Sequence, residues 1–391
     1  MHYDLDNYVD RTGTHALKWE ARPGLIPLWV ADMDLPCAEP ILKALHARVD
    51  HGIFGYTGTL KEDYTDAVLG WMARRFDWHP KAEWIRYTAG VVQAVSFLVH
   101  LLSAPGDGII IQKPVYGPFM MSVNTQDRVE YNSPLLKKPA ANGSVRYEMD
   151  FEDLAVKFAD PAVKGMILCN PHNPVGRVWT EDELNRLLQL AKANGKWIIS
   201  DEIHCDIVRK GMRHTPLLKL AAACGWEDHV YACTSVSKSF NLAGMQLANT
   251  FIPNEETRKR WAGYVEGTIH IGLANPLSIA AMQAAYTESE DWLDEANAYI
   301  DDNLAFLREY LAEKLPKAVM AECEGTYLAW VDFSAYVKDA AELTRRLSEN
   351  AGVALSDGAG FGEEAPIQRI NVACCRRQLR EGLDRIVAEL A

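Results

Sequence analysis

The middle of the chain alternates short apolar runs with segments of helical period, which predicts an α/β sheet built through crossover connections. The clearest unit starts at Gly165–Asn170 (GMILCN), which reads as a buried strand. A turn rich in Pro, Asn and Gly follows, Asn170–Gly176. Thr180 and Glu183 form a capping box. Leu184, Leu187, Leu188 and Ala191 then recur at i, i+3, i+4 and i+7, one face of a helix. Gly195 closes that helix, and Lys196–Glu202 (KWIISDE) is the next strand. This strand–helix–strand order leaves polar residues at carboxyl ends of strands, where open α/β sheets bind ligands.

The same reading makes Trp84–Thr88 a strand, followed by Gly90 and a helix with Val91, Val95, Leu98, Val99 and Leu102 as its apolar positions. Gly108–Gln112 and Val230–Thr234 read as further strands. After about Ala285 a charged helical stretch leads to a strand at Tyr327–Phe333, then helix, strand and helix. The expected organisation is a large domain over 46–285 and a smaller α+β domain over 286–391. Residues 1–45 are expected to pack with the small domain or to reach across to a partner subunit.

Composition removes several function classes. The 391 residues carry a net charge of −13 and are 48% hydrophobic, with a pI of about 5.4. An acidic chain with a large core is a poor match for phosphate backbones, so no nucleic-acid partner is expected. No window approaches the roughly 18 apolar residues of a membrane span. The polar start, MHYDLDNYVD, is unlike a signal peptide, which leaves a cytoplasmic protein as the expectation. Eight cysteines without a CxxC pair read as reduced thiols. His204, Cys205 and Asp206 are consecutive and lack a second ligand pair at metal spacing, so no metal is expected.

Six local patterns carry chemistry. Thr234–Phe240 (TSVSKSF) sets Lys238 among hydroxyls just after a buried strand. Such a lysine is either a solvated surface group or an amine of depressed pKa able to act as nucleophile and base. Asp201 ends a buried strand, either as a structural ion pair or as the partner of a protonated pyridine nitrogen. Asn170–Gly176 is a turn or a ligand loop, and Tyr116 in KPVYGPF is packing or a ring contact. Thr88–Val92 opens a helix whose backbone amides suit an anion. Arg369 lies inside an apolar strand and needs an anion, either a structural carboxylate or a substrate carboxylate held bidentately.

The order glycine–helix, Tyr, Asn-Pro, Asp, S-x-S-Lys, Arg resembles the fold-type I pyridoxal-phosphate (PLP) enzymes of the class I/II aminotransferase superfamily, over nearly the whole chain. The resemblance implies a seven-stranded, mainly parallel central sheet and PLP as cofactor. It implies that Lys238 forms the Schiff base and Asp201 holds the pyridine nitrogen. Asn173 would bond the ring O3′, and Tyr116 would stack on the ring. Ser235, Ser237 and the amides of Gly90, Val91 and Val92 would hold the phosphate. Ala31, Asn173 and Arg369 would contact substrate, with Arg369 on its carboxylate. Tyr56 in FGYT matches the tyrosine that superfamily homodimers send to the neighbour's phosphate.

Three stretches narrow the resemblance: DRTGTHALKWE, PLWVADMDLP and Asp201–His204 are similar to the MalY/PatB-type C–S lyases, or cystathionine β-lyases. His204 stands where aminotransferases commonly carry Tyr, a position the resemblance would place near the cofactor, and Gln246 where many carry a phosphate-binding Arg. The implied activity is β-elimination from L-cystathionine or another cysteine thioether, giving thiol, pyruvate and ammonia. A transaminase with the same cofactor is one alternative. A regulatory protein that binds a transcription factor is the other.

Overall fold

The computed structural model describes residues 3–58 and 61–391. A seven-stranded sheet forms its centre, in the spatial order Ile85–Thr88, Ala248–Phe251, Val230–Thr234, Trp197–Asp201, Val163–Cys169, Gly108–Ile111, Val129–Asn132. Every pairing is parallel except those of Ala248–Phe251, which runs antiparallel to both neighbours. The five-strand parallel stretch needs cover on both faces, and its sequence supplies it. Ile109 and Ile111 face one side with Ile167 and Ile199, packed on Val91, Val95, Leu98 and Val99 of the helix Val91–Leu102. Ile110, Met166, Leu168 and Ile198 face the other, packed on Leu184, Leu187, Leu188 and Ala191 of the helix Glu181–Ala193.

The strand–helix–strand unit closes as its sequence predicts. Thr180 Oγ1 accepts from the Glu183 amide at 3.2 Å, Glu183 answers at the Thr180 amide at 2.8 Å, and Gly195 takes φ +64°. The strands sit within two residues of their expected ends. The register at Gly165 is steric: a Cβ there would come within 2.1 Å of the Trp197 ring on the adjacent strand.

The long helix Glu290–Lys314 leads to a four-stranded antiparallel sheet in the order Val319–Met320, Leu328–Asp332, Ile367–Asn371, Ser356–Asp357. The helix Arg376–Leu390 packs on the strands Ile26–Pro27 and Val353–Ala354 and on residues 346–350. The start of the chain is built into this second unit. Ile26–Pro27 pairs in parallel with Val353–Ala354, and the Asp34 amide donates to the Ala373 carbonyl at 2.8 Å. The helix Glu39–Asp50 packs instead on Pro276–Glu288. One hairpin, Leu136–Pro139 with Val145–Glu148, has no counterpart in the sequence reading. Its Lys137 pairs with Asp332 at 2.7 Å, and the Trp330 indole donates to Tyr147 Oη at 3.2 Å, so it bridges the two units. No helix among the described residues is long and apolar enough to cross a membrane.

Candidate active site

Four strand ends deliver side chains to one edge of the central sheet. Asp201 is the last residue of Trp197–Asp201, and Asn170–Gly176 follows Val163–Cys169. Ser235 follows Val230–Thr234 and begins the short helix Val236–Ser239 that carries Lys238. Gly90 follows Ile85–Thr88 and opens the helix Val91–Leu102 without any side-chain cap, so the amides of its first turn have no side-chain partner. A cavity of about 270 Å³ lies between these ends. It is lined by Gly90, Val91, Val92, Tyr116, Asn173, Asp201, His204, Ser235, Ser237, Lys238 and Ala31, all singled out in the sequence. Gln246 also lines it.

The charges in this cavity are arranged with few partners. Burial, helped by the charge of Arg369, lowers the Lys238 ammonium pKa to about 8, against the opposing pull of Asp32 and Asp201. Its Nζ donates to the Ala31 carbonyl at 2.5 Å. Burial pushes the Asp201 carboxyl up to about 7, although the Ile203 amide donates to its Oδ1 at 3.0 Å. His204 is buried, its ring centroid 5.8 Å from that of Tyr327. Burial, Lys238 and Arg369 together depress its pKa well below the usual histidine value, so it is neutral. Burial and the neighbouring Asp201 raise the Tyr116 phenol. Ser235 donates to the Leu247 carbonyl at 2.6 Å and accepts from the Ser237 amide at 3.0 Å, which fixes the turn into the lysine helix.

Arg369 reaches the site from the second unit, on the strand Ile367–Asn371. Its guanidinium donates to Asn173 Oδ1 at 3.0 Å, to the Trp29 carbonyl at 2.9 Å and to Ser356 Oγ at 3.2 Å. Its Nε is buried without a hydrogen-bond partner, and no carboxylate pairs with it among the described residues. Of the two readings left open by the sequence, a structural carboxylate partner therefore drops out. Burial lowers its pKa to about 10, so it remains a cation near neutral pH.

Tyr56 stands apart from these residues. It is 99% exposed and belongs to an adjoining cleft of about 630 Å³ that also contains Gln246. Gln93 and Cys169 line the main cavity without having been singled out. Cys169 fell inside the strand read over Gly165–Asn170 and the buried Tyr327 opened the one read over Tyr327–Phe333, but nothing local marked either of them, or Gln93, as part of the site.

The two N-terminal stretches that carried the narrower resemblance meet in space. Lys18, fully buried, pairs with Asp34 at 2.8 Å and donates to the Asp32 carbonyl at 3.0 Å. Arg11 bridges Asp32 and Asp34, each at 2.8 Å, and the Trp19 indole donates to Asp34 at 3.0 Å. Burial works against the Asp34 carboxylate, but Lys18, Trp19 and Arg11 outweigh it and hold its pKa low. This cluster fixes the strap Trp29–Leu35, whose Ala31 faces Lys238.

The cavity has the donors a PLP group needs. A buried carboxylate whose one hydrogen-bond donor among the described residues is a backbone amide suits a protonated ring nitrogen, and an uncapped helix start suits a phosphate. A Cβ added to Gly90 would meet nothing within 4 Å, so this edge of the cavity is open.

Comparison with known proteins agrees with this arrangement. Residues 25–386 match the family model described as aminotransferase class I and II. The cystathionine beta-lyase PatB of Bacillus subtilis is 38% identical over 395 residues, covering 99% of this chain and all of that protein. The protein MalY of Escherichia coli is 30% identical, covering 98% of both. A PLP-bound C–S lyase from Staphylococcus hominis superposes with a TM-score of 0.92 at 37% identity, covering all of this chain and 99% of that one. The chain belongs to the class I and II aminotransferase family, among its relatives of the MalY/PatB type.

Proposed function

We propose that this protein is a PLP-dependent carbon–sulfur lyase that acts on L-cystathionine and related cysteine thioethers. The observation that carries the reading is the buried amine of Lys238, its pKa lowered to about 8, in one cavity with the Asp201 carboxylate. PLP, when bound, supplies an aldehyde for the substrate amine and an electron sink for the Cα carbanion. Lys238 would hold it covalently, and Asp201 would keep its ring nitrogen protonated. Asn173 would bond its O3′, Tyr116 would pack on its ring, and His204 would lie beside it. Gly90, Val91 and Val92 would offer amides, and Ser235 and Ser237 hydroxyls, to its phosphate.

Arg369 holds the substrate α-carboxylate bidentately, with Asn173 and Ala31 completing that wall. Once the substrate amine has displaced it, the freed Lys238 Nζ would take the Cα proton, a task suited to an amine whose pKa lies near the working pH. The Cβ–S bond then breaks and the sulfur leaves with a proton. Water takes up the remaining fragment, which ends as pyruvate and ammonia. The atoms balance: thioether plus water gives thiol, pyruvate and ammonia. Gln246 in place of a phosphate-binding arginine and His204 in place of tyrosine favour this outcome over transamination. The protein works in the cytoplasm as a homodimer. The exposed Tyr56 supports that reading, because a phenol 99% exposed, in a cleft that shares Gln246 with the cavity, is free to reach a neighbour's phosphate.

The deciding assay supplies L-cystathionine without any keto acid. Pyruvate and free thiol should appear in equal amounts, and added 2-oxoglutarate should not raise the rate. S-alkyl cysteines should also turn over, and L-alanine should not. Turnover that requires a keto acid would make the protein a transaminase instead.

A further inference from the structure

The Ala31 carbonyl accepts two hydrogen bonds. Lys238 Nζ donates to it at 2.5 Å, and the Tyr327 hydroxyl donates at 2.8 Å. Tyr327 is fully buried at the start of the second unit's sheet, its ring edge against His204. Its hydroxyl has one destination among the described residues, this carbonyl.

The carbonyl itself cannot drift. Asn371 Nδ2 donates to the Val30 carbonyl at 2.6 Å and to the Asp32 carbonyl at 2.7 Å, clamping the backbone on both sides of Ala31. Lys18 holds the Asp32 carbonyl from beyond, and Arg369 and Ser356 hold that of Trp29. The phenol is therefore not needed to keep the strap in place. What it changes is the electron density left at the acceptor, because two donors on one oxygen each weaken the other's bond.

We propose that Tyr327 is a positioning residue that tunes the Lys238 amine through the Ala31 carbonyl, sharing the acceptor so that it does not hold the lysine's ammonium too firmly. The inference rests on the reading of Lys238 as the active-site amine. In that reading the Cα–H bond breaks as a new N–H bond forms on Lys238. That proton must later leave with the sulfur, as N–H breaks and S–H forms. A carbonyl free to bind the ammonium alone would retain the proton. Other groups also face this amine: Arg369 and Lys18 as cations, Asp32 and Asp201 as carboxylates, and neutral His204. None of them binds the same oxygen. Burial pushes the Tyr327 phenol far above its ordinary pKa, so it stays a donor throughout the working range.

The test reads the amine directly. Full-length protein freed of cofactor is exposed briefly to acetic anhydride across a pH series. Acetylation of Lys238 is then counted by peptide mass spectrometry against the exposed Lys259. The wild-type midpoint should fall near 8. In Tyr327→Phe it should rise by about half to one pH unit, the scale of one shared hydrogen bond. With 3-fluorotyrosine placed at position 327, a stronger donor of nearly the same shape, it should fall. Equal midpoints in the three proteins, or the reverse order, would overturn the proposal. If Tyr327→Phe does not fold, the fluorotyrosine protein against wild type decides alone. A separate arm adds PLP and borohydride to the wild type. A missing adduct at Lys238 there would sink the PLP reading, whatever the order of the midpoints.

Discussion

Asp201 shows the tension between stability and chemistry most directly. Its pKa of about 7 in the folded chain stands above the ordinary 3.8. The folded state thus holds this proton more firmly than the unfolded state does. The contribution is complete below about pH 4 and is lost as pH rises through 7. Asp201→Asn removes that loss. Freed of cofactor, the variant should be more stable than wild type at pH 8, by about 4 kcal/mol for a shift from 3.8 to about 7, and gain little at pH 4. Urea melts at both pH values check this. The same variant should lose most of its turnover, because an amide cannot keep a ring nitrogen protonated. Near-normal turnover would make Asp201 structural. Arg369 answers to a different measurement. Arg369→Ala should weaken binding of α-carboxylate substrates by about 2–5 kcal/mol, the cost of losing one partner of a desolvated charge pair. The rise should appear mainly in KM. Equal loss for an amino acid and its decarboxylated amine would remove Arg369 from the carboxylate role.

At the scale of elements, the strap Trp29–Leu35 links chain start, lysine and carboxylate site. Asn241, held at φ +56°, accepts from the Met33 amide at 2.9 Å and donates to the Met33 and Leu35 carbonyls, each at 3.0 Å. The Lys18–Asp34 pair anchors the strap from the other side. Breaking a buried pair from one end leaves an uncompensated charge, which costs about 3–5 kcal/mol. Asp34→Ala should therefore lower the urea midpoint strongly. Adding Lys18→Met should recover part of the loss, because the orphan ammonium is then gone. No recovery in the double variant would mean that Asp34 acts through Arg11 and Trp19 rather than through Lys18.

At the scale of the molecule, the site joins the carboxyl edge of the central sheet to the second unit. Asn173 and Arg369 touch across 196 positions of sequence. If Tyr56 completes a neighbour's site, two inactive variants should rescue each other. A mixture of Lys238→Ala and Tyr56→Ala chains, unfolded and refolded together, should regain activity. The mixed dimer would hold one site with both Lys238 and the partner's Tyr56 intact. Mixtures without activity, from chains that sediment as dimers, would confine Tyr56 to its own subunit.

The central sheet was legible in the sequence because its signals are local. A run such as GMILCN, a capping box and a four-residue helix face each act within a few residues, and each reappears in the fold. The order of Gly90, Asn173, Asp201 and Lys238 along the chain likewise marked which strand ends would face one cavity, since parallel strands present their carboxyl ends together. Three pieces escaped: the strand Ala248–Phe251, buried but only four residues long with two polar positions, and the edge strand Val129–Asn132 and the hairpin over 136–148, both mostly polar and held by pairing rather than by burial. Tertiary structure alone decided that Arg369 has no carboxylate partner among the described residues. It also decided that Lys18 is buried, although a lysine in a polar leader reads as solvated. Only the folded chain could bring Tyr327 and Lys238 to the one carbonyl of Ala31. Such contacts depend on distances between elements far apart in sequence, which no local periodicity encodes.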